Sequence, residues 1–184
     1  IISEYLDLNL HYAPLITRVY SGEAALEAMR HTPFDLVITM QRIGDMKLKT
    51  FCTAARGIDS DMTLVLLAYQ SRELQLLLEH DNLTSFDRIF IWSGDRKLFL
   101  ALIKVFEDLQ NAPVDCVDFG VRAVILVEDS PLFYSSYLPL IYTEVMKLTQ
   151  SLIAEGVNHT HRLLRMRARP RILLADTFEE AWEL

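Results

Sequence analysis

Four short β-forming runs alternate with stretches of helical period, and this alternation constrains the fold more than any single motif. The runs are residues 15–20 (LITRVY), 34–39 (FDLVIT), 63–69 (TLVLLAY) and 86–92 (FDRIFIW). After the first, Ser21 starts a helical pattern whose apolar face is Ala24, Ala25, Leu26 and Met29, and Pro33 ends it. Residues 47–56 read as a short helix. Ser71 caps RELQLLLEH, with Leu74, Leu77 and Leu78 on one side. Ser93 or Asp95 caps a further helix carrying Leu98, Ala101, Leu102 and Val105 on one face. Apolar strands separated by helices predict a parallel sheet covered on both faces, so the expected class is α/β.

Residues 111–120 (NAPVDCVDFG) read as a linker, since they hold Pro, Gly and two acids. A second unit follows it, over residues 121–184. Residues 121–127 (VRAVILV) are an expected strand ended by Glu128 and Asp129, and Ser130-Pro131 is an N-cap with a first-turn proline. Tyr137, Ile141, Val145, Leu148 and Leu152 step at helical spacing and form the expected buried stripe, with Pro139 bending the helix or lying in its first turns and Gly156 stopping it. Residues 162–169 read as a short helix, 172–175 as a strand, and Phe178 begins a last helix. One repeat is internal: LLADTFEEAWEL echoes RVYSGEAALEAM as strand, polar turn and acidic helix start. The chain opens inside one helical pattern (IISEYLDLNL) and stops inside another, and a strand is expected before the opening helix.

Composition removes several classes of function. A net charge of -7 argues against a nucleic-acid binder, which needs a basic face toward phosphate. Cys52 and Cys116 stand far apart without metal-ligand spacing, so no disulfide framework is expected and a reducing cytoplasm fits. Nothing at the start reads as a signal peptide. No apolar stretch approaches the roughly 20 residues of a membrane span. The longest, 131–153, is interrupted by Ser135, Ser136, Glu144 and Lys147.

The first unit, over residues 1–110, resembles the receiver domain of bacterial two-component signalling, a CheY-like response-regulator family. The cues are YSGEAALEAM after the second strand, FDLVIT as the third, RIGDM as the following loop and VLLAY as the fourth. Residues 121–184 resemble the opening of a second receiver, with VILVEDS as first strand and acidic turn. The resemblance implies a flavodoxin-like doubly wound parallel sheet, lacking its first strand in the first unit. It also implies a phosphoacceptor aspartate ending the third strand, two Mg²⁺-binding acids after the first, a hydroxyl ending the fourth and a lysine ending the fifth. Phosphoryl transfer needs such a set, because a carboxylate nucleophile, a hard cation and charge-neutralising donors must converge.

Laid on this chain, the acceptor position is Met40, the hydroxyl position Ala68 and the lysine position Trp92 or, with a one-residue slip, Ser93. Asp35 cannot replace Met40: it lies five residues earlier, roughly 16 Å along an extended strand, and an odd offset turns it to the opposite face. Asp45 reads as a turn residue. The first unit is therefore expected to be a pseudoreceiver with no cofactor, a regulatory module and not an enzyme. Its partners by the resemblance are proteins, a histidine kinase or an output domain. Glu128 and Asp129 are candidate Mg²⁺ ligands of the second unit, set against the plainer reading of an acidic helix start. One alternative is a phosphoacceptor receiver whose aspartate lies past Leu184. The other is a regulatory region of a larger phosphotransfer enzyme of the phosphoenolpyruvate synthase or pyruvate phosphate dikinase type, which the segment after the linker resembles.

Other candidates have plainer readings that carry more weight. Arg162, Arg165, Arg167, Arg169 and Arg171 form the basic cluster RLLRMRARPR, expected to be solvated or paired with the chain's own acids. His159 and His161 share an H-x-H spacing without a third ligand. Ser130, Ser135 and Ser136 have no nucleophile elbow around them. Phe133, Tyr134, Tyr137 and Tyr142 make the long helix aromatic, for core packing first and partner docking second.

Overall fold

The structure, a computed structural model, describes residues 14–69, 85–154 and 169–184. The expected helices at 1–10, 71–80 and most of 162–169 lie outside the described residues, as do Gly156, His159, His161, Arg162, Arg165 and Arg167. The chain is α/β, with helices and parallel sheets in two compact units that divide between Gly94 and Asp95.

The first unit contains α1 (Gly22–His31), β1 (Leu36–Met40), α2 (Leu48–Ile58), β2 (Thr63–Ala68) and β3 (Arg88–Ile91). Its sheet has the order β1-β2-β3, all parallel, with Leu36 level with Thr63 and Val65 level with Arg88. The central strand β2 is buried from Leu64 to Ala68, as an aliphatic run in a parallel sheet should be. Leu26 and Met29 of α1 and Phe51, Cys52 and Ala55 of α2 pack with Met62 and Leu64 into one core cluster. Asp87 fixes the entry to β3. Its N–H donates to the Leu64 carbonyl at 2.9 Å, while its carboxylate accepts the Leu64 N–H at 2.6 Å and the Arg56 guanidinium at 2.7 Å.

The expected strand at 15–20 does not form. Those residues are irregular, and Leu15 and Tyr20 are 95% and 83% exposed. A β-forming run becomes a strand only when a neighbouring backbone takes up its N–H and C=O groups, and no described strand pairs with it. The echo between the two acidic helix starts is nevertheless real at the caps. Ser21 Oγ accepts the Ala24 N–H at 3.2 Å, and Thr177 Oγ1 accepts the Glu180 N–H at 3.1 Å.

The second unit contains α3 (Lys97–Val117), β4 (Ala123–Val127), α4 (Pro131–Ala154), β5 (Arg171–Ala175) and α5 (Phe178–Glu183). β4 pairs with β5 in parallel, Val127 level with Ala175. Two expectations fail here. The segment 111–120 is no linker, because α3 runs through Pro113 to Val117 and ends before Gly120, whose φ of +64° is left-handed. This helix, expected in the first unit, packs against α4 and β5. The buried stripe of α4 is also one residue round from the expected one. Tyr134, Leu138, Tyr142 and Met146 are buried, while Tyr137 and Leu148 are 43% and 63% exposed. The helix is apolar on both stripes, so period alone cannot choose between them.

A polar contact makes the choice. Asp108 of α3 is fully buried, and its Oδ2 accepts Tyr142 Oη at 2.9 Å, the Ile172 N–H at 3.0 Å and Arg169 Nη1 at 3.0 Å. Arg169 Nη2 reaches the other carboxylate oxygen, and Arg171 Nε donates to Asp115 Oδ2 at 2.7 Å. One carboxylate thus ties α3, α4 and β5 together, and α3 continues through Pro113. Burial, followed by the neighbouring Asp108 charge, raises the Tyr142 phenol's pKa and keeps it neutral. Burial is the largest influence on Arg169 and works against its charge, but the hydrogen bond to Asp108 and the attraction of Asp108, Tyr142 and Glu107 together outweigh it and hold that pKa above its ordinary value.

Removing Asp108 leaves the Arg169 charge largely buried without its partner. Asp108→Ala is therefore expected to lower unfolding free energy by about 3–5 kcal/mol, read by urea denaturation, with Tyr142→Phe losing about 1.5–3 kcal/mol. The thiols report on the other core. Cys52 is fully buried and burial pushes its pKa up to about 11, so a disulfide-exchange reagent at mildly alkaline pH should titrate Cys116 in the native protein and Cys52 only in urea.

Candidate functional site

The carboxyl ends of parallel strands are where such sheets hold ligands, because loops and helix starts meet there. In the first unit that end is made by Met40, Ala68 and Trp92. Met40 closes β1 level with Leu67, Ala68 closes β2 level with Ile91, and the Trp92 N–H donates to the Ala68 carbonyl at 2.7 Å. The three positions singled out in the sequence therefore stand on adjacent strands at one end of the sheet. Their side chains are a thioether, a methyl and an indole. Met40 is 40% exposed and Ala68 is fully buried. None can act as a carboxylate nucleophile, and none is a hard oxygen ligand for Mg²⁺.

Acids flank these strands in the sequence. Asp35 precedes β1 and sits at the opposite end of the strand. Asp95 Oδ1 accepts the Lys97 N–H at 2.9 Å. Asp45 does more than close a turn: its two oxygens accept the N–H groups of Gly22 and Glu23 at 2.8 and 3.0 Å. The loop after β1 therefore caps α1 from outside, alongside the Ser21 cap. Gly22 fits because a Cβ there would lie 2.7 Å from Met46 Sδ, one residue beyond Asp45.

Beside this strand end runs a groove of about 300 Å³. Thr17 and Val19 line one wall, β1 from Leu36 to Met40 lines another, and Ala25 and Met29 of α1 also border it. Among the described residues Arg42 is the one charged side chain on its wall.

In the second unit Glu128 and Asp129 follow β4, and the Glu128 N–H donates to the Ala175 carbonyl at 2.9 Å. Glu128 Oε1 accepts the Ser130 N–H at 3.0 Å, so this carboxylate serves the entry to α4. Among the described residues no group of three or more His, Cys, Asp or Glu side chains stands together as a metal site. Of the serines, Ser136 Oγ donates to the Phe133 carbonyl at 2.7 Å within its own helix, and Ser135 is buried. The aromatic residues of α4 divide: Tyr134 and Tyr142 are core, while Phe133 and Tyr137 stack at 6.2 Å and are 48% and 43% exposed. Arg169 and Arg171 pair with Asp108 and Asp115, as the plainer reading of the arginine cluster expects. Among the described residues no helix is long and apolar enough to cross a membrane.

Sequence reasoning missed Asp108. Its signal was present: Asp108 continues the buried period Leu98, Ala101, Leu102, Val105, and an acid on an apolar stripe needs a partner. No protein-family model matches the chain, and no curated protein matches it.

Hydrogen bonds from the Glu23 and Gly22 N–H groups hold the Asp45 carboxylate below its ordinary pKa of 3.8. A depressed folded pKa gives stability that is present above the unfolded value and lost as pH falls through the folded one. Asp45→Asn should therefore have a lower urea midpoint than the parent at pH 7. The gap should close on acidification below about 4.

Proposed function

We propose that the first unit is a regulatory binding module of the receiver type, with a flavodoxin-like sheet, that works by protein recognition and does not accept a phosphoryl group. The single observation that carries this is the set of side chains at the carboxyl ends of β1, β2 and β3. Met40, Ala68 and Trp92 stand there on neighbouring parallel strands. A reaction at this end would need a nucleophilic oxygen and a cation held by carboxylates. The chain instead places apolar bulk there, and the loop acid Asp45 holds a helix start. The parallel order β1-β2-β3, with α2 between the first two, supports the receiver likeness of the segments FDLVIT, RIGDM and VLLAY.

A second reading places phosphoryl chemistry in the second unit. Its observation is the parallel pair β4-β5 with Glu128 and Asp129 following β4. Glu128 is already engaged with the Ser130 N–H, which weakens it as a metal ligand.

Incubation with acetyl phosphate and Mg²⁺ tests the first reading. The binding-module reading expects no hydroxylamine-labile phosphoryl group on the first unit, and Met40→Asp alone should not create one, because Ala68 and Trp92 offer no partner chemistry. A label mapped to any aspartate of residues 14–94 sinks the reading.

A further inference from the structure

We draw no further inference here: the strongest candidate, the exposed apolar stripe of α4 carrying Phe133, Tyr137, Leu140 and Leu148, is a helix face without a partner among the described residues, and nothing in the structure shows what covers it.

Discussion

A parallel sheet is stable only when its faces are covered and its edge backbone groups are satisfied, and both units are shaped by that requirement. β2 meets it fully, with a neighbour on each side and no solvent contact from Leu64 to Ala68 beyond 5%. Among the described residues β1 meets it on one side. β4 meets it through β5, while Val124, Ile125 and Val127 stay between 43% and 51% exposed. The same aliphatic composition thus appears in a strand that is enclosed and in strands that are not.

The second constraint is electrostatic. Asp108 is held in the interior by the Tyr142 hydroxyl, the Ile172 N–H and Arg169. Such a group specifies geometry more than it adds stability, because an apolar replacement of all members can be as stable, while loss of one member is costly. It holds Tyr142 of α4 against α3. No comparable buried ion pair exists at the Met40 end of the first sheet among the described residues. That end is closed by packing and by the Asp45 cap.

The legible part of the fold was the part written in local pattern. The strands at Leu36–Met40, Thr63–Ala68 and Arg88–Ile91 fall within two residues of their expected bounds, because each is a run of β-formers between turn signals. The helix starts at Ser21 and Thr177 were legible because a hydroxyl cap announces itself. The positions of Met40, Ala68 and Trp92 at the ends of adjacent strands were legible for the same reason as the strands. Proline and glycine in NAPVDCVDFG misled, because turn chemistry outweighs helix in a local reading and the restraint from Asp108 and Asp115 comes from residues about 60 positions away. The 15–20 run misled for the reverse reason: β propensity without a partner gives no strand.

By itself, the sequence determined the α/β class, the alternation of strands and helices, and the apolar character of the strand ends, since these follow from residue type and short-range period. The tertiary structure alone decided where one unit ends and the other begins, which stripe of α4 is core, and which acid is a buried anchor. Those outcomes depend on which distant groups meet, and burial of a charge is settled by its partners in space and not by its neighbours in the chain.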